Sequence, residues 1–263
     1  MDWRLSGTRR AVVAFAAVAG LSLVSVVGGP VRAQEATPAA MGPACTAVLG
    51  IGAEGDACVN IVHASPDAPA VDIYVDGAKA VEKLAFGKAT GWVALPAGEH
   101  QVQVAPAGEA ADKAVIDATL DLTAGMAYEA AAVGNVAEIK AAVFPVDLTV
   151  TEDAANAAVR VIHASPDAPA VDVAVKGGDV LIANLAFPDA SDYLTVPAGT
   201  YDLEVRPTGT TDVALDLPGV ELTGGDAYSV YAIGTVAAGT LTVLPIVAGA
   251  PMAEAAQEAT PSA

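Results

Sequence analysis

The chain has 263 residues, 54% of them hydrophobic and only 5% aromatic, with 12 Lys and Arg against 31 Asp and Glu and a formal net charge of −19. That balance excludes a nucleic-acid binder, which needs a basic footprint, and works against adhesion to anionic lipid. A soluble, self-repelling surface is the simplest reading.

The chain opens with Arg4, Arg9 and Arg10, followed by an apolar run from Ala11 to Val27 and the small-residue site Val31-Arg32-Ala33. This order reads as a signal peptide over residues 1–33, cut after Ala33, and places the mature protein outside the cell or in the periplasm. The competing reading, an uncleaved anchor, suits the run poorly because it is Ala- and Gly-rich and short for a span. Arg9-Arg10 is only a weak twin-arginine signal. Removing Arg4, Arg9, Arg10 and Arg32 together with Asp2 leaves 8 basic and 30 acidic residues, a formal charge of about −22.

Residues 34–56 read as an N-terminal linker segment and 249–263 as a disordered tail, and the polar string Ala-Gln-Glu-Ala-Thr-Pro occurs at both ends, at residues 33–38 and 256–261. No second apolar run follows, so no membrane span is expected in the mature chain. Cys45 and Cys58, the two cysteines, read as a disulfide in an exported protein. Closing that 14-residue loop is worth about 3 kcal/mol. The pair lacks the further ligands of a zinc site.

The ten residues from His63 to Asp72 (HASPDAPAVD) recur unchanged from His163 to Asp172, 100 positions later. Further matches extend the register: Leu84-Ala85-Phe86 with Leu185-Ala186-Phe187, Trp92 with Tyr193, Tyr128 with Tyr228, and Phe144-Pro145-Val146 with Leu244-Pro245-Ile246. A repeat of this length is a whole domain rather than a solenoid unit. The expectation is two tandem domains, 57–148 and 157–248, joined by a polar linker at 149–156 that permits limited freedom between them. The offset slips to 101 at Lys176-Gly177-Gly178 and returns to 100 before Leu222, changes that loops tolerate better than strands.

Strand signals fill each repeat. Val59–His63 and Val71–Val75 are β-rich, Asp76-Gly77 is a hairpin signal, and Gln101–Val104 and Asp202–Val205 alternate strictly. Further strands are expected near Thr90–Leu95, Ala114–Leu122, Ala127–Val133 and Ile139–Val146, with equivalents near Tyr193–Val196, Val213–Leu217, Ala227–Ile233 and Thr240–Val247. Seven or eight short strands in about 100 residues indicate an all-β fold of two immunoglobulin-like β-sandwiches. Ala131-Ala132 and Ala141-Ala142 are poor strand formers, but Gly134 and Pro145 argue against helix there.

The string from Val59 to Gly77, with the later Leu-Ala-Phe and Leu-Pro-Ala-Gly elements, resembles the bacterial domain of unknown function numbered 4397, in two copies. The resemblance implies an exported, often tandem β-sandwich and supplies no activity to carry over. The second copy departs from the pattern at Ala174-Val175-Lys176-Gly177, where the first has Tyr74-Val75-Asp76-Gly77.

His63, Ser65 and Asp67, repeated as His163, Ser165 and Asp167, are the residue types of a hydrolytic triad, but three residues alternating over five positions do not easily converge on one reacting atom. No catalytic residue is assigned. The reading preferred is a turn held by its own side chains. Asp67, Asp72 and Asp76 raise calcium as an alternative, without any established ligand spacing, and the second copy has Asp172 but Lys176. No metal or cofactor is assigned. Trp92 and Tyr193 read as core plugs rather than sugar-stacking residues, and Tyr74, Tyr201 and Tyr231 as weaker candidates. The function expected is that of a non-enzymatic secreted or envelope-associated binding or structural protein, its partner an envelope polysaccharide or another envelope protein. The alternative is a small-ligand or calcium module using the HASPDAP loops.

Overall fold

The structure, a computed structural model, describes residues 43–149 and 153–249; the segment read as a signal peptide lies outside them, as do residues 34–42 and nearly all of the tail. The first copy contributes β1 (Ala57–His63), β2 (Val71–Val75), β3 (Ala78–Leu84), β4 (Lys88–Ala89), β5 (Val93–Leu95), β6 (Gly98–Pro106), β7 (Ile116–Leu122), β8 (Ala127–Val133) and β9 (Lys140–Val146). The second contributes β10 (Asn156–His163), β11 (Val171–Val175), β12 (Val180–Leu185), β13 (Leu194–Pro197), β14 (Gly199–Pro207), β15 (Leu215–Leu222), β16 (Ala227–Ile233) and β17 (Thr242–Ala248).

Each copy is a sandwich of two sheets, in agreement with the sequence. In the first, β4-β1-β8-β9, with β5 also on β1, faces β3-β2-β6-β7; in the second, β13-β10-β16-β17 faces β12-β11-β14-β15. β1 pairs parallel with β8, and β10 with β16.

Alternation along β1 explains why every one of its residues is buried. Ala57, Val59 and Ile61 enter the core of their own sandwich with Ile73, Val102 and Val104. Cys58, Asn60 and Val62 point the other way. There Val62, Ala131 and Val133 meet Ile162, Tyr231, Ile233 and Ile246 of the second copy in one cluster. The two sandwiches are therefore stacked back to back, with the β1 and β10 sheets as the inner layers of four. Strands buried on both faces favour near-continuous apolar runs, and the parallel β1–β8 and β10–β16 pairs lie in these layers. The alanines of β8 follow from the same constraint: Ala130 and Ala132 face one core while Ala131 faces the other. Close layer packing outweighs their poor strand propensity.

Three features depart from the sequence reading. The interdomain freedom expected from the short linker gives way to a shared buried interface. The return of the repeat offset is not confined to a loop: Tyr201 pairs Val220 while Leu203 pairs Leu217, so Pro218-Gly219 forms a bulge within β15. Gly219 adopts φ 67°, and its N–H donates to Asp202 Oδ1 at 2.8 Å. The segment read as a linker also contains a short helix, α1 (Cys45–Leu49). The Cys45–Cys58 disulfide ties α1 to β1. It lies in a cluster containing Ala127 and Val146 of the first copy and Ala227 and Ala248 of the second, so it secures the helix at the seam between copies rather than on the first alone.

A shared core predicts joint unfolding. Urea denaturation followed by tryptophan fluorescence and by far-UV circular dichroism should give one coincident transition. Ile162→Ala, at a fully buried interface position, should lower the stability of the whole by about 2–5 kcal/mol. Two resolved transitions, with only the second-copy one moved, would show the copies to be energetically separate.

Candidate functional site

The HASPDAP loop leaves the end of β1 and returns as β2, and the second copy repeats it between β10 and β11. His63 Nε2 lies 3.0 Å from the Pro69 carbonyl and must donate to it, since a carbonyl only accepts. Its Nδ1 accepts the Ser65 N–H at 3.4 Å. His163 reproduces both bonds, at 3.0 Å to the Pro169 carbonyl and 3.3 Å from the Ser165 N–H. These bonds fix one neutral tautomer with both ring nitrogens occupied. Burial pushes the His63 pKa below its ordinary value, which keeps that ring uncharged. Each ring also meets an aromatic edge to face, His63 with Phe86 and His163 with Phe187, both at 6.2 Å.

The aspartates act elsewhere. Asp67 Oδ1 accepts the Val136 N–H at 2.8 Å, and Asp167 accepts those of Val236 and Ala237 at 2.8 and 2.9 Å. Each thereby fastens its loop to the turn after β8 or β16. The two amides hold the Asp167 pKa below the usual carboxylate range. Ser65 Oγ is buried without a hydrogen-bond partner, whereas Ser165 Oγ donates to Asp167 Oδ1 at 3.4 Å. The histidine base atom thus faces a backbone amide rather than a serine hydroxyl. The geometry holds a turn and offers no activated nucleophile.

Asp72 sits on β2, 1% exposed. It accepts the Lys83 N–H at 2.8 Å, the Gly108 N–H at 3.0 Å and the Lys79 ammonium at 2.7 Å. Asp172 accepts the Asn184 N–H at 2.8 Å, the Gly209 N–H at 3.1 Å and the Thr208 hydroxyl at 3.0 Å. Lys83 and Asn184 both have φ 54°, a left-handed conformation uncommon for residues with a Cβ. Each aspartate therefore clamps a bulge in the neighbouring edge strand. Asp76 instead accepts from His100 Nδ1 at 2.7 Å and the Gln101 N–H at 2.9 Å. The three carboxylates considered for calcium serve three separate backbone sites, and among the described residues no three metal-ligating side chains come together.

A polar cluster at the seam between copies was not recognised from the sequence. Arg160, 5% exposed, donates from Nη2 to Glu129 Oε2 at 3.3 Å, from Nε to Ser229 Oγ at 2.8 Å and from Nη1 to the Pro145 carbonyl at 2.6 Å. Its guanidinium lies 4.9 Å from the Tyr193 ring centroid. Tyr231, fully buried, donates its hydroxyl to Glu129 Oε2 at 2.9 Å. Burial pushes the Glu129 pKa up, opposed chiefly by the Arg160 charge. Trp92 reaches across the same seam and donates Nε1–H to the Val247 carbonyl at 2.9 Å. The signal available in the sequence was mismatch between copies: Asn60 against Arg160, Glu129 against Ser229, and Ala131 against Tyr231.

A family model described as Domain of unknown function (DUF4397) matches residues 57–174 and 157–258. No curated protein matches the chain. Among solved structures, the Bacillus anthracis TIE protein is 11% identical with a TM-score of 0.23, the match covering 69% of this chain and 34% of that one. The chain thus spans about a third of the TIE protein's length. CBMbc (family CBM26) of Eubacterium rectale Amy13K, solved in complex with maltoheptaose, is 14% identical with a TM-score of 0.24, covering 72% of this chain and 95% of that one.

Two outcomes follow from the geometry. Removing one member of the buried pair, as in Glu129→Leu or Arg160→Met, should cost about 3–5 kcal/mol in urea denaturation, while the double variant should recover most of that loss. Equal losses in single and double variants would assign the cost to shape rather than charge. For Asp72, the Lys79 bond and two backbone amides hold the pKa at about 2. Its stabilisation is complete above the ordinary carboxylate pKa of about 4 and disappears as pH falls towards 2. The urea midpoint of Asp72→Asn should accordingly fall less steeply than that of the wild type over this range. Parallel pH profiles would contradict the assignment.

Proposed function

The chain belongs to the family described as Domain of unknown function (DUF4397), and on that footing we propose that it is an exported, envelope-associated protein that acts by binding and spacing rather than by catalysis. One observation carries this reading. In both copies the motif histidine bonds its own loop through both ring nitrogens, and the motif aspartates bond neighbouring backbone, so the repeated residues build the fold. A protein made of duplicated fold-determining motifs with a shared interface suits presentation of surfaces at a fixed separation. The excess of acidic residues supports a soluble extracytoplasmic surface. Among the described residues no helix is long and apolar enough to cross a membrane.

The partner proposed is an envelope polysaccharide or another envelope protein. Purified protein lacking residues 1–33 should co-sediment saturably with envelope fragments of its own organism, and chelation should leave binding unchanged. Failure to sediment at any concentration would remove the envelope reading. Loss of binding on chelation would instead bring the alternative of a calcium-dependent loop site forward.

A further inference from the structure

The second sandwich contains a space that the proposed spacing role does not require. Between its two sheets lies a cavity of about 440 Å³, within the size range of small-molecule sites. Its walls include Val161, Val173, Leu203, Val205 and Val230. The buried core of the first sandwich is one continuous cluster. That of the second is divided in two, with Val161, Val173 and Val205 in one part and Leu222 and Tyr228 in the other. The cavity touches both parts.

Sequence differences between copies account for the gap. Ile61 and Ile73 in the first core are matched by the smaller Val161 and Val173, and Leu95 by Val196. The Pro218-Gly219 bulge replaces a regular stretch of β7, and Val220 takes the place of the fully packed Leu120. The bulge is thus linked to the cavity by position: it interrupts the strand that would close this side of the sandwich. The space reaches solvent beside the edge strand β17, where the lining residue Val247 is 42% exposed, and beside Leu181 on β12, 40% exposed.

The lining chemistry selects the occupant. It contains no cationic side chain, and its one acid, Glu221, lies on an exposed part of β15. Both lining tyrosines already have partners: Tyr201 donates to the Pro197 carbonyl at 2.6 Å, and the Tyr228 hydroxyl accepts the Thr223 N–H at 2.9 Å. An anionic head group would find no countercharge, and the whole chain carries −19. A polar ring would find few free partners for its hydrogen-bonding groups. Apolar cavities lined by aliphatic side chains exclude water and admit apolar guests. A guest also restores dispersion contacts that the walls otherwise lack.

We propose that the second sandwich is a binding site for the hydrocarbon chain of a neutral, single-chain amphiphile, held between its sheets with the head group at a solvent-open edge of the cavity. This goes beyond the envelope-spacer reading and does not depend on it. Purified protein suffices for its test, so either can fail alone.

The probe is decan-1-ol, titrated into the protein by calorimetry and by thermal melting. The expected result is saturable binding of one molecule per chain with a Tm that rises and then levels off. Decanoate at pH 8 should bind at least tenfold more weakly. Val230→Phe, which places a larger side chain in the cavity, should weaken decan-1-ol binding at least tenfold in folded protein. Should that variant not fold, Val243→Phe on the edge strand serves the same purpose. No saturable binding by wild type, or undiminished binding by a folded variant, overturns the site. Equal affinity for decanoate overturns the neutral-ligand assignment. A dimer in sedimentation that decan-1-ol dissociates would give the groove to a second copy of the chain instead.

Discussion

Burial of β1 and β10 on both of their faces is the constraint on which the rest of this structure depends. A sheet in a lone two-layer sandwich can leave one face to water. Here the inner sheet of each copy is covered by its own partner sheet and by the other copy, so no residue of β1 is left exposed. Strands in that position need side chains small enough for adjacent layers to close. The alanines of β8 meet that need on both faces, and Tyr231 packs at the same seam as Ala131. An alanine-rich, aromatic-poor composition is thereby compatible with a dense interior.

The seam is also where the two copies cease to be equivalent. An ideal duplication would place identical residues at matched positions of the interface. Instead Arg160 answers Asn60, Ser229 answers Glu129 and Tyr231 answers Ala131. The exchanges are complementary: the acid comes from the first copy, and the guanidinium and phenol that bind it come from the second, together with the Ser229 hydroxyl that accepts from the guanidinium. A buried ion pair adds little net stability compared with well-packed apolar residues, but breaking it strands a charge. Its effect here is to make the first copy a better match for the second than for another first copy. Specificity of this kind is obtained by penalising the wrong partner.

What the sequence disclosed follows the same physics. Short β-rich runs bounded by turn residues place Val71–Val75 and Ala227–Ile233 at the bounds the structure has, because there pattern and tertiary packing agree, whereas at Ala127–Val133 the flanking Gly134 argues for a strand against the propensity of the alanines. β3 and β12 escaped notice: in Ala78–Leu84 the alternation is broken by a left-handed residue, Lys83, and most positions are exposed. The spacing of the triad-like motif argues against convergence on one reacting atom, but the task of Asp72, holding a bulge eleven residues away, is visible only in the structure. Arg160 was invisible for a different reason. A lone arginine on a strand resembles a solvent-facing residue until the opposite layer, which belongs to another repeat, is in place.

The identity of the ten-residue motif and the divergence elsewhere can then be read as two consequences of geometry. In His63 to Asp72 nearly every polar group answers a backbone group at fixed distance: the histidine a proline carbonyl, one aspartate the turn after β8, the other a bulge amide. Such bonds depend on backbone path, which both copies share, so the same side chains serve in both. Interface and cavity positions answer other side chains, and those differ between copies. A substitution at Asn60 is felt by whatever stands opposite it, and one at Ile73 by the volume of a single core. The motif is therefore held by the fold, while the seam and the second core were free to become specific.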